Sequence, residues 1–248
     1  MHSFKSVSIL LFLSAAAVAF SGTAARAQNQ NQVQAQSLTS ANGTYISTDP
    51  LAKVRYDNRF DVSLGAAYVR FMPGPNAVVG DNLGGLDLSA SYLLTKHLRL
   101  EASGRYYLGT AGAPVAAHQA PYSIKGPFVS EHVLVAGPEW LGPHNKHGAF
   151  YLHALAGTAY GNFEQDLRNT PRYLVGFYSD GYAPAAVLGG HIDLNRSAQW
   201  VFRITPDALY TRYKVGYTGP PGSVVQGSYN NWNFGISVGM EYKFIRNR

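Results

Sequence analysis

From Asn58 to Phe244, apolar residues alternate with polar or small ones. The last segment shows this most cleanly. Trp232, Phe234, Ile236, Val238, Met240, Tyr242 and Phe244 are separated by Asn233, Gly235, Ser237, Gly239, Glu241 and Lys243. A strand puts successive side chains on opposite faces, so this segment has one apolar face and one small or polar face. A helix would scatter both sets around its axis. The same period of two predicts strands over 59–71, 85–94, 98–108, 128–141, 149–160, 185–194 and 200–212. Two of them, 128–141 and 149–160, alternate less cleanly, and the sequence leaves open which of their faces points where. Pro138 inside the first predicts a bulge or a strand end, because proline cannot donate to a ladder.

The connections alternate in length. Those at 72–84, 109–127, 161–181 and 213–230 are long, whereas 95–97, 142–148 and 195–198 are short. Strands of about 10–13 residues match a membrane-crossing strand better than the average globular strand of about 5–6. Long and short loops in strict alternation fit a barrel with short turns at one end. The predicted fold is therefore all-β, an eight-stranded antiparallel up-and-down transmembrane β-barrel. An even strand number returns both chain ends to the same, periplasmic side.

Closure assigns the two parities. Lipid offers the backbone no partners, so only a closed sheet satisfies every N–H and C=O. The apolar parity then faces acyl chains. Aromatics sort to the strand ends: Phe60, Tyr92, Trp140, Phe150, Trp200, Phe202, Tyr242 and Phe244 at one end, Tyr68, Tyr106, Tyr160 and Tyr210 at the other. These are two expected interfacial girdles. The other parity carries Asp61, Asp87, Arg99, Glu101, Arg105, Asp193, Arg203, Asp207, Glu241 and Lys243. Eight strands leave an interior just wide enough for side chains to fill. A polar network in a largely occluded lumen is thus favoured over a small gated channel. Glycines of that parity, Gly65, Gly85, Gly137, Gly157, Gly189, Gly235 and Gly239, are expected to make room for long side chains. His153 and His191 share the parity and are expected to be hydrogen-bonded lumen histidines.

Composition sharpens this picture. The chain of 248 residues is 46% hydrophobic but only 14% charged, against about 25% charge in an average soluble domain. The low charge follows if most of the surface meets lipid. With no cysteine, a disulfide scaffold and a thiolate metal site are excluded. Near the N-terminus, Lys5, the uncharged run Val7–Phe20 and Ala25-Arg26-Ala27 read as a secretory signal peptide over 1–27. Residues 28–57 then form a Gln/Asn-rich leader expected to be disordered in the periplasm, 58–244 the barrel, and 245–248 a short tail. Losing Lys5 and Arg26 takes the net charge from +6 to +4.

The run Val133-Leu-Val-Ala-Gly-Pro-Glu-Trp140, a short turn and Tyr151-Leu-His-Ala-Leu-Ala-Gly157 resembles the fourth-to-fifth hairpin of small outer-membrane barrels related to the membrane domain of OmpA and to OmpX, acidobacterial members especially. Phe202–Arg212 resembles their seventh strand and Phe234–Phe244 their closing strand. The resemblance implies residence in a Gram-negative outer membrane, among outer-membrane lipids and lipopolysaccharide. Ser237, Gly239, Tyr242 and Phe244 resemble the signal read by the barrel-assembly machinery, although Ile245–Arg248 follows where the family ends on its last aromatic.

Little catalytic chemistry is visible. Ser130, Glu131 and His132 are neighbours on a strand, so they alternate faces and cannot form a triad. The His-x-Ser-Asn run that lipid A deacylases of this size tend to carry is not found. His144 and His147 are expected to be solvated turn residues. Gly84-Gly85 and Gly189-Gly190 have no following helix and are not phosphate loops. The bases are scattered, which disfavours nucleic acid. No catalytic, cofactor or metal residue is therefore expected. Arg70 and Arg212, on the outward parity near the outer rim, are expected to meet lipopolysaccharide phosphates. The functional expectation is a monomeric outer-membrane barrel with a structural, adhesive or narrow-channel, porin-like role. The alternatives are a lipid-modifying barrel enzyme and a soluble lipocalin-like carrier, whose parity would be reversed.

Overall fold

A computed structural model describes residues 49–75, 80–167, 169–218 and 224–244. The signal peptide, the leader as far as residue 48 and the tail 245–248 lie outside the described residues. Residues 49–52 form one turn, with the Leu51 amide donating to Asp49 Oδ1 at 2.9 Å. The rest, from Lys53 onward, forms a second unit.

That unit is built from eight strands: β1 (Phe60–Phe71), β2 (Asp81–Leu93), β3 (Leu98–Thr110), β4 (Phe128–His144), β5 (Gly148–Asn162), β6 (Gly181–Asn195), β7 (Trp200–Thr218) and β8 (Val224–Phe244). Each pairs antiparallel with its sequence neighbours, and β8 pairs with β1, which closes the barrel. Closure leaves no edge along the paired lengths, so the backbone groups there are satisfied within the sheet. Among the described residues, no helix is long and apolar enough to cross a membrane.

The period-two reading finds all eight strands in order, and the structure alters three details. The expected long connection at 213–230 is mostly ribbon, because β7 and β8 continue paired as far as Thr218 and Val224. In this stretch Tyr213, Val215 and Tyr217 are buried, while Lys214 and Thr218, of the other parity, are exposed. Pro138 neither ends β4 nor bulges it. The register with β5 runs unchanged from Ala136 to Glu139, and the irregularity falls between Leu141 and His144. Finally, the connection after β5 carries a one-turn helix, α1 (Arg172–Val175), closed by Gly176 at φ 69°, a left-handed conformation that suits glycine.

The outward parity is apolar, with Leu64, Leu88, Leu134, Leu152, Leu188 and Ile236 all exposed. Phe60 and Phe244 touch at the terminal end, ring centroids 5.4 Å apart, as do Trp200 and Tyr242 at 5.0 Å. At the loop end Tyr160 meets Tyr182 at 4.9 Å, and Tyr210 meets Trp232 at 5.1 Å. From Phe60 to Tyr68 on β1 is about 27 Å at the usual rise. A tilt of about 40° reduces that to about 21 Å, close to the apolar band of a membrane barrel.

Candidate functional site in the barrel interior

The inward positions change character along every strand. Read from the terminal end, β1 presents Asp61, Ser63, Gly65, Ala67, Val69 and Phe71. β3 presents Arg99, Glu101, Ser103, Arg105 and Tyr107, and β7 presents Val201, Arg203, Thr205, Asp207 and Leu209. The polar members collect toward the chain termini and the apolar ones toward the long loops. The interior therefore has two storeys.

All ten polar residues singled out from the sequence are buried in the terminal storey, and the structure pairs them. Arg203 holds Asp193 with two hydrogen bonds, 2.8 and 3.0 Å, and also pairs with Glu241. Arg99 pairs with Asp61 and lies 3.9 Å from Glu139. Arg105 pairs with Asp207 and lies 3.7 Å from Asp87. Lys243 Nζ lies 3.9 Å from Glu241 and receives the Tyr56 ring at 4.6 Å. Serines complete the carboxylates: Ser91 donates to Glu139 at 2.6 Å and Ser237 to Asp87 at 2.8 Å. Buried charges persist only when paired and hydrogen-bonded in this way.

Sequence parity alone missed Glu131 and Glu139. Both point inward from β4, the strand whose face the sequence left open. Glu131 sits among the apolar residues and accepts a hydrogen bond from Tyr213 at 2.9 Å. Its neighbours Ser130 and His132 do not join it. His132 lies outward between Tyr106 and Tyr160, at 4.5 and 6.4 Å.

The histidines divide. His153 places Nδ1 2.8 Å from Glu101 and Nε2 2.7 Å from Asp207, as a lumen histidine should. His191 corrects the expectation. It is buried and stacked on Tyr151 at 4.5 Å, yet neither ring nitrogen has a hydrogen-bond partner among the described residues.

The inward glycines also act differently from the expectation. A Cβ at Gly137 would strike the Ala154 carbonyl oxygen, and one at Gly85 that of Tyr106. They admit a close approach of the neighbouring strand rather than space for an Arg or Tyr side chain.

The loop storey is an apolar core. Val69, Phe71, Leu83, Val133, Val187, Leu209 and Tyr213 point in from the strands, and Phe163, Leu167, Val175, Phe177 and Tyr178 enter from the β5–β6 connection. Phe163 stacks on Phe71 at 5.7 Å and meets Tyr213 edge-on at 4.9 Å. Asp180 Oδ1 fixes this plug by accepting the Phe163 and Glu164 amides at 2.6 and 2.9 Å. Burial in the plug pushes the Tyr178 hydroxyl up to about 12. At the opposite end Tyr56 lies across the mouth. Its hydroxyl donates to the Asn145 carbonyl and accepts from Asn195, both at 2.7 Å.

The remaining named residues lie apart. Arg70 and Arg212 are exposed, on the strands that flank β8. Arg70 Nη1 donates to Asn82 Oδ1 at 2.7 Å, which also accepts from Tyr68 at 2.6 Å. In β8, Ser237 is buried, Tyr242 half-buried and Phe244 exposed, with Gly239 opposite Gly65. His144 and His147 are exposed near the short β4–β5 turn, and the His144 ring meets that of Tyr56 at a tilt, centroids 4.8 Å apart.

No family model matches the chain, and no curated protein is significantly similar to it. Solved structures are similar in fold. Neisserial surface protein A matches with a TM-score of 0.50 at 15% identity, over 75% of this chain and 97% of that one. OprG of Pseudomonas aeruginosa gives 0.49 at 15% identity, over 78% and 99%. Ail, the attachment invasion locus protein of Yersinia pestis, gives 0.42 at 16%, over 75% and 99%.

Proposed function

We propose that this chain is an outer-membrane barrel with a structural or adhesive role, whose interior is closed to solutes. The carrying observation is the two-storey interior: paired charges fill one half, and an apolar core with its own plug fills the other. The exposed apolar band between aromatic girdles supports residence in a bilayer and weighs against a soluble carrier. The separation of Glu131 from Ser130 and His132 weighs against a lipid-modifying triad. Function then falls to the surface the long loops present.

In planar bilayers the purified barrel is expected to give no steady conductance, while migrating faster on gels unheated than heated and fractionating with the outer membrane. A stable ohmic conductance would overturn the closed interior, and recovery in the soluble periplasm would overturn the membrane assignment. We further propose that Arg70 and Arg212 meet lipopolysaccharide phosphates and that Ser237, Gly239, Tyr242 and Phe244 guide assembly. Joint Arg70→Glu and Arg212→Glu substitution should lower stability in lipopolysaccharide membranes only. Equal loss in phosphatidylcholine would refute the phosphate contact.

A further inference from the structure

The terminal storey is short of positive charge. Asp61, Asp87, Glu101, Glu139, Asp193, Asp207 and Glu241 share four basic side chains of the arginine and lysine type, Arg99, Arg105, Arg203 and Lys243. At its centre Glu101, His153 and His191 come from three different strands, β3, β5 and β6. All three are buried, and one ligating atom from each lies within 4.8 Å of the others. His191 is 1% exposed, and both of its nitrogens lack a hydrogen-bond partner among the described residues. A buried polar group in that state is costly unless something satisfies it. Glu139 Oε1, 3.5 Å from His191 Nε2, is also without a hydrogen bond.

We propose that Glu101, His153 and His191 hold a divalent first-row transition metal inside the barrel. Two imidazole nitrogens and one carboxylate oxygen form a donor set suited to zinc and its neighbours, not to calcium or magnesium, which take oxygen. Ligand atoms at about 2.1 Å on a tetrahedral ion stand about 3.4 Å apart, so side-chain movements on the order of 1 Å complete the set. The groups around the ligands fit the same role. Asp207, 2.7 Å from His153 Nε2, accepts that N–H and leaves Nδ1 to ligate on the Glu101 side. Tyr151 fixes the plane of the His191 ring from one face. A divalent ion also removes most of the local excess of carboxylate. The ion ties three strands together across the interior, a structural role that suits three buried ligands.

The test refolds the protein in detergent with Zn2+, removes free ion by gel filtration and measures bound metal by mass spectrometry. About one Zn2+ per chain is expected, and Co2+ in its place should give the visible absorption of a tetrahedral site. His191→Phe keeps a ring against Tyr151 but removes both nitrogens, and Glu101→Gln removes the carboxylate charge. Folded forms of each, identified by heat-modifiable gel mobility, should retain metal at least about tenfold less well. The paired variant His144→Ala with His147→Ala, which removes the exposed turn histidines, should retain it fully. Failure of the unaltered barrel to hold zinc would overturn the proposal. So would loss of zinc in the turn variant with retention in His191→Phe.

Discussion

Arg203 carries more of the interior than any single partner shows. It binds Asp193 with two hydrogen bonds and reaches Glu241 on the next strand. Removing one member of such a network leaves the others charged, buried and unpaired, which costs about 3–5 kcal/mol. Arg203→Met should therefore lower the stability read by urea unfolding in vesicles by about that amount. Arg55, paired with Asp57 in water, should cost about 0–1 kcal/mol when replaced by alanine. A drop for Arg203→Met no larger than that for Arg55→Ala would contradict the network. At this scale, parity alone names Arg203, Asp193 and Glu241 as inward-facing. It does not say which acid meets which base, because that depends on how far the strands are staggered around the ring. Nor could it show that His191 is orphaned, since its surroundings come from Tyr151, Glu139 and Asp193, on two other strands and its own.

The strand is the unit that reads most directly from the sequence. Six strands are legible in clean alternation and β4 and β5 in a weaker one, because lipid and interior impose opposite chemistry on successive residues. The loop ends were less legible. Tyr213, Val215 and Tyr217 keep the period beyond the rim, within the stretch 213–230 that the sequence reading takes as a long connection. The plug was invisible, since Phe163, Leu167, Val175 and Phe177 obey no regular spacing. Along β1, Leu64 is 57% exposed and lies four residues from each girdle residue, Phe60 and Tyr68. Leu64→Arg should destabilise the barrel in vesicles by about 2–4 kcal/mol. Leu94→Arg, beside the short turn, should cost about 0–1 kcal/mol. Equal costs at the two sites would deny that the outward face spans a bilayer.

The whole barrel depends on contacts that span great lengths of chain. Ser237 reaches Asp87 across 150 positions, His153 reaches Glu101 across 52, and Met72 shares hydrogen bonds with Asn231 and Asn233 where the first and last strands meet. Those of Ser237 and Met72 cannot exist in a flat sheet, because they cross the seam between β1 and β8. An unrolled sheet lying in hydrocarbon would part Arg105 on β3 from Asp207 on β7, strands that do not pair with each other, and an arginine left against lipid costs about 2–4 kcal/mol. Entering the membrane and closing the ring are thus one event in time. Trp232, on β8, should change its fluorescence with the same rate constant at which the heat-resistant gel band forms. A long-lived intermediate with fluorescence complete and the band absent would contradict this. The interior charges act in that respect as a latch on assembly: until the last strand finds the first, the rest of the chain has no comfortable place in lipid.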